Sequence, residues 1–162
     1  MERIVQSQAR SIKTPGPDHP ISVERNPNRI VVSVAGGGPM SETNKDIAVA
    51  FYKAVIEGWV EDAFRLYGGP PTTYRQHNPL IEDGMEGLRK VVSWLKDARC
   101  EIKRVLADGD YVILHSHWHG LSDNPRGEAV VDIFRLEGGK VVEHWDVIQP
   151  IPETSANANT MF

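Results

Sequence analysis

An α+β fold is predicted for this chain, with helices in the middle of the sequence and a curled antiparallel sheet after them. Two observations predict it. Apolar residues recur at three- and four-residue intervals from Thr43 onward. Later, three runs rich in Val, Ile, Phe and Trp, at 111–119, 128–136 and 141–149, are separated by Gly-containing turns and read as consecutive strands of a meander.

In chain order, residues 1–40 differ from the rest. Pro15, Pro17, Pro20, Pro27 and Pro39 punctuate the stretch, Gly36 to Gly38 close it, and β-like runs fall at 21–24 and 29–35. Such a fragment cannot close a core of its own, so it is expected to be a flexible or edge-docked arm, with the compact domain spanning 41–153. Ile47, Ala50, Phe51, Ala54 and Val55 then mark a first helix, capped by Ser41 or Thr43 and closed by Gly58. A short second helix, 59–67, stops at Gly68-Gly69-Pro70-Pro71. Next comes TTYRQHNPLIEDG, too dense in hydrogen-bonding side chains to be ordinary turn filler. A third helix is expected over 85–98, a strand over 100–107, and a hairpin turn at Asp108-Gly109-Asp110. The tail after residue 153 is expected to fray.

Composition narrows the function. A net charge of -4 offers no basic footprint for nucleic acid. No apolar run approaches the roughly 20 residues that span a bilayer, and MERIVQSQAR lacks a signal-peptide core. A cytoplasmic location without membrane partners is the expectation. The single cysteine, Cys100, permits no internal disulfide and reads as a packing residue. No P-loop, nucleophile elbow or dinucleotide fingerprint is present, so no cofactor is implied.

Alternation along the strands places Tyr111, Ile113, His115, His117 and His119 on one face, Val130, Asp132 and Phe134 on one face, and Glu143, Trp145, Val147 and Gln149 on one face. Asp132 is out of place between valine and phenylalanine. On an apolar concave face its carboxyl would be desolvated and become an acid or base that works near neutral pH; the structural alternative is an ion pair with Arg135 or Lys140. His115, His117 and His119 could in pairs share a metal ion, since alternate residues of a strand lie roughly 6.5–7 Å apart. The other reading gives one or two of them a hydrogen bond to Asp132 or to a substrate oxygen, and that reading, with no metal, is the one adopted. His77 and Asn78 are placed at the pocket mouth, or else they satisfy their own loop. Tyr74, Phe134 and Trp145 supply substrate-holding walls and Glu143 a second carboxylate. His144 and Asp146 point away, toward a dimer interface.

HNP followed by helix and strand, then VDIFR, the EGGK turn and EHWDVIQP, resemble the SnoaL-like polyketide cyclase branch of the nuclear transport factor 2-like superfamily, over residues 41–153. The resemblance implies a cone-shaped α+β barrel, a homodimer, and a closed-off pocket for a hydrophobic small molecule. It also implies an acid/base aspartate at Asp132, paired with a histidine on the preceding strand: His117, with His115 second. KTPGPDHPISVERNPNRIVVSVAG separately resembles the opening of a small bacterial β-rich domain family of uncharacterised function.

Together these features suggest a cofactor-independent enzyme of aldol-cyclase or isomerase type, moving a proton next to a carbonyl. The alternatives are a non-catalytic dimeric module that binds a small molecule, and a histidine-ligated metal-dependent hydrolase or oxygenase.

Overall fold

The computed structural model describes residues 21–26 and 29–34 as strands and residues 43–162 throughout. The chain divides into two compact units, Met1–Met40 and Ser41–Phe162. In the first, β1 (Ile21–Asn26) and β2 (Arg29–Val34) pair antiparallel, Asn26 opposite Arg29. The rest of the expected arm, and its flexible or docked character, lies outside the described residues.

The second unit holds three helices and a five-stranded mixed sheet. Its first helix, α1 (Asn44–Ile56), begins at Thr43 with a reciprocal cap: the Thr43 hydroxyl accepts from the Asp46 backbone N–H and the Asp46 carboxylate accepts from the Thr43 N–H. It ends at Gly58, whose φ of +87° is easy only for glycine. α1 buries Ile47, Ala48, Val49, Ala50, Phe51, Tyr52, Ala54 and Val55, almost its whole circumference, as befits a helix packed on several sides. The next elements are α2 (Val60–Leu66), a two-residue strand β3 (Arg75–Gln76), and α3 (Gly84–Trp94). α3 is shorter than its apolar pattern predicts, because the chain turns at Leu95, where Ala98 N–H reaches back to the Leu95 carbonyl.

The sheet follows in the order β3-β7-β6-β5-β4, with β4 (Arg99–Asp108), β5 (Tyr111–His119), β6 (Glu128–Glu137) and β7 (Lys140–Pro150) antiparallel and β3 parallel to β7. β3 has no hydrophobic alternation, so nothing in its composition announces it. Its position is set by backbone bonds on one side, with His77 N–H donating to the His144 carbonyl, and by Asp83 on the other, whose carboxylate accepts from Gln76 N–H.

Which face a strand presents depends on one extra residue. Between β6 and β7 the pairing runs Arg135 with Glu143 but Leu136 with Val141, so Val142 is a bulge. Val141 and Leu136 are both fully buried. Beyond the bulge the parity reverses, and His144, Asp146 and Ile148 share the inner face with their partners Phe134, Asp132 and Val130. Counting by twos from Val141 gives the opposite answer, which is why Glu143 and Trp145 are expected inside and His144 and Asp146 outside.

The inner face packs on α1. Phe51 meets Phe64 edge-on at 5.4 Å between ring centroids, Tyr74 at 5.9 Å and Phe134 at 6.2 Å, joining α1, α2, the β3 approach and β6. No helix among the described residues is long and apolar enough to cross a membrane. The last nine residues form no helix or strand, and the Phe162 ring lies against His117 at 4.5 Å and His115 at 5.3 Å.

Because Phe51 is 1% exposed at the meeting point of three aromatic partners, Phe51→Ala is expected to cost about 3–5 kcal/mol, as buried phenylalanine truncations do. Urea unfolding checks this, and a loss below about 1 kcal/mol would contradict the packing described.

Candidate active site

Between α1, α3 and the inner face of the sheet lies a cavity of about 240 Å³. Its wall is mostly aliphatic and aromatic, and its polar groups gather on one side: Gln76, Asn78, Asp132, His144 and Asp146 with the Tyr52 hydroxyl. The backbone explains the gathering. Asp132 and Asp146 are opposed across β6 and β7, Phe134 and His144 are the next inward pair, and Gln76 sits beside His144 through the β3–β7 pairing.

Asp132 is 4% exposed and carries its hydrogen bonds on both oxygens. Oδ2 accepts from the Tyr52 hydroxyl at 2.8 Å, and Oδ1 lies 3.1 Å from His144 Nε2. The Tyr52 oxygen itself accepts from Trp118 Nε1–H at 2.9 Å, so its own proton is directed at Asp132. Burial first, and then the negative charge of Asp132, push the Tyr52 pKa well above the usual tyrosine range, and the hydroxyl stays a donor. Neither Arg135 nor Lys140 pairs with Asp132. Arg135 bonds Glu143 and Glu137, and Lys140 donates to the Leu66 carbonyl.

The tautomer of His144 follows from its neighbour. Asn78 backbone N–H can only donate, and it meets Gln76 Oε1 at 3.0 Å, which fixes the orientation of that amide. The same oxygen lies 2.9 Å from His144 Nδ1, so Nδ1 must carry a proton. A single proton is then shared between His144 Nε2 and Asp132 Oδ1: the pair is either imidazolium with carboxylate or imidazole with carboxylic acid. Asp146, half-buried, accepts from Asn78 Nδ2 on both oxygens, at 3.0 and 2.7 Å. Gln76 Nε2 is buried with no partner in the protein.

Of the residues expected at the site, Asp132, Tyr74, Phe134 and Asn78 line the cavity. The others do not. His115, His117 and His119 alternate with the buried Leu114, Ser116 and Trp118 and stand on the outer face, because Leu114, not a histidine, opposes Asp132. There His115 Nδ1 accepts from Arg104, His117 Nε2 meets the Arg126 carbonyl, and the His117 and His119 rings lie 4.0 Å apart. Burial, then the positive charge of Arg104, lowers the His115 pKa. Trp145 is also outside, stacked on His77 at 4.5 Å and 8°. His77 Nε2 and Arg135 Nε both reach Glu143, at 2.9 and 2.6 Å. Burial alone would raise the Glu143 pKa, but hydrogen bonds from His77 and Arg135 bring it below the usual value, a sign of a structural ion pair.

Sequence reasoning missed His144, Asp146, Gln76, Tyr52 and Trp118 as site residues. The available signal was the pair Val141-Val142, two successive apolar residues where strict alternation fails, which is how a bulge appears in a sequence. Tyr52 gave no signal, since an aromatic on an apolar helix reads as core.

A helix-covered mixed sheet that encloses a mainly apolar cavity, with titratable groups on one wall, is an α+β domain of the nuclear transport factor 2-like kind. The chain belongs to the SnoaL-like domain family, whose model matches residues 48–144, more than half of its length. No curated protein matches it in sequence. Among solved structures, a nuclear transport factor 2-like protein of unknown function from Cytophaga hutchinsonii ATCC 33406 superposes with a TM-score of 0.55 at 15% identity, covering 68% of this chain and 94% of that one. Two proteins described as "putative polyketide cyclase" are also similar. The one from Bacillus cereus ATCC 10987 has a TM-score of 0.53 at 23% identity, with 64% and 72% of the two chains covered. The one from Acidithiobacillus ferrooxidans has a TM-score of 0.52 at 18% identity, with 68% and 91% covered. Identities this low speak to the fold alone.

Two outcomes follow from the buried groups. The folded-state pKa of Tyr52 lies above its unfolded value of about 10, so the stability it contributes is complete below about pH 10 and is lost as pH climbs toward the folded value. Urea midpoints of the wild type should therefore fall as pH rises from about 9 to 11, and Tyr52→Phe should fall less steeply; equal slopes would argue against a buried hydroxyl. Burial also pushes the Cys100 thiol up to about 12. Iodoacetamide at mildly alkaline pH should accordingly alkylate native Cys100 at least about tenfold more slowly than the urea-unfolded chain, with mass spectrometry as readout.

Proposed function

We propose that this protein is an acid/base enzyme that moves a proton on a hydrophobic, carbonyl-containing small molecule, without a nucleotide cofactor. The observation that carries the reading is the 3.1 Å contact of Asp132 Oδ1 with His144 Nε2 at the polar wall of an otherwise apolar cavity. Such a pair can take a proton from carbon beside a carbonyl and return it elsewhere on the same molecule, the chemistry of an aldol cyclisation or an isomerisation. Asp132 is the accepting carboxylate. It takes the carbon-bound proton as the carboxylic acid and returns it from there, while His144, an imidazolium whose Nδ1 proton is held by Gln76, balances the charge of the carboxylate before and after. Tyr52 positions Asp132 from the opposite side, its own proton held in place by Trp118. Gln76 Nε2, with no partner in the protein, is the donor offered to the developing enolate oxygen.

The cavity sets the scale of the substrate. At ~30 Å³ per water, 240 Å³ is the room of about eight water molecules. That suits one or two fused rings better than a large polycycle, unless part of the molecule projects through the mouth. Leu80, Trp94 and Ile148, which line the cavity yet are largely exposed, are the apolar surface such a projection would follow.

Asp132→Asn removes the accepting oxygen while nearly preserving shape. It should lower turnover of an enolisable cyclic ketone by about 10²–10⁴-fold, the usual worth of a positioned acid/base group, with the thermal midpoint and circular dichroism near those of the wild type. Full activity in a folded Asp132→Asn protein would end this reading. His117→Ala, on the outer face, should leave turnover unchanged.

A further inference from the structure

Three side chains of the cavity wall are arranged as cation ligands, and we infer that Asp132, His144 and Asp146 bind a divalent first-row transition-metal ion in place of the shared proton. Their donor atoms all lie within 4.8 Å of one another. One of these contacts, Asp132 Oδ1 to His144 Nε2 at 3.1 Å, is near the spacing of about 3 Å that two neighbouring ligands keep around an ion with bonds of ~2.0–2.2 Å.

Each donor also has its own outer partner. Tyr52 holds Asp132 through Oδ2 and leaves Oδ1 for the ion. Gln76 holds His144 through Nδ1 and leaves Nε2. Asn78 holds Asp146 through an amide N–H₂ and leaves the second lone pairs of its oxygens. This is the outer hydrogen bonding that orients metal ligands and fixes the imidazole tautomer. Charge points the same way. Two carboxylates face the cavity, while among the described residues no lysine or arginine lines it. A single shared proton cannot balance both carboxylates in an apolar surrounding, whereas a divalent ion can.

One imidazole with two carboxylates, open to a cavity on the remaining side, suits zinc, manganese, cobalt or ferrous iron rather than a soft monovalent ion. The inference rests on the proton-transfer reading in one respect: the ion takes the lone pairs of Asp132 Oδ1 and His144 Nε2 that proton transfer uses, so metal binding and turnover exclude one another. The proton it displaces leaves to solvent. This site is separate from the outer histidine row, on which a metal reading would naturally fall from sequence.

Cobalt(II) added to the full chain tests the site, because its visible absorption reports the ligand set directly. One equivalent should generate the band. His144→Gln and Asp146→Asn, each with a wild-type melting temperature, should lose it, and Asn78→Leu should weaken the affinity by about 10–100-fold as removal of an outer partner does. The double variant His117→Ala/His119→Ala should keep the band. If His144→Gln does not fold, Asp146→Asn at its half-buried position carries the test. Absence of a band in the wild type, its persistence in Asp146→Asn, or its loss in the outer-face double variant would overturn the inference. The proton-transfer reading fails independently. Cobalt binding together with full turnover in Asp132→Asn would keep the site and remove that reading; an inactive Asp132→Asn without a cobalt band in the wild type would do the reverse.

Discussion

The carboxylate of Asp132 is the point on which this domain depends. Removing an anionic group from water is costly, and the fold offsets that cost with two directed bonds, one from Tyr52 on α1 and one involving His144 on β7. Each supporting residue is held in turn, Tyr52 by Trp118 on β5 and His144 by Gln76 on β3. A single charged group thereby fixes one helix and four strands relative to one another. Truncating any member leaves a buried polar atom without a partner, so the network is expected to be far less tolerant than its exposed counterparts.

The two faces of the sheet show how differently the same residue types can be used. Inside, an aspartate and a histidine share one proton in an apolar cavity, where electrostatic interactions are strong. Outside, Glu143 is locked between Arg135 and His77, and Trp145 stacks on that same His77. The outer cluster satisfies its own charges, and none of its members lines the cavity between α1, α3 and the sheet. Titratable residues alone therefore do not mark the site; the decisive difference is the side of the sheet on which the backbone puts them.

Much of the fold was legible from sequence. The apolar periodicity of α1, the Gly and Pro punctuation after α2 and the strand runs over β5, β6 and β7 follow from local rules that the structure obeys. The inward position of Asp132 was legible too, because it shares a strand face with Val130 and Phe134. β3 was not, since two polar residues have no pattern and owe their strand form to Asp83 and the β7 backbone. The inner face of β7 was misassigned for a definite reason: Val142 inserts a residue, and alternation counted across it inverts. The histidine row of β5 attracted attention through its chemistry, yet Val112, Leu114, Ser116 and Trp118 are the buried set.

The Val142 bulge gives one strand two functions in succession. Ahead of it, Val141 belongs to the hydrophobic core, with Leu136 as its partner; behind it, His144, Asp146 and Ile148 belong to the cavity. Tolerance to substitution along β7 should therefore change phase at residue 142, odd positions being constrained by packing before it and even positions by recognition after it. Were the ladder to run on regularly through Val142, Glu143 and Trp145 would oppose Phe134 and Asp132 and take the inner positions, and His144 and Asp146 would turn outward. The bulge thus absorbs one residue of chain length and, by doing so, decides which side chains β7 presents to the cavity.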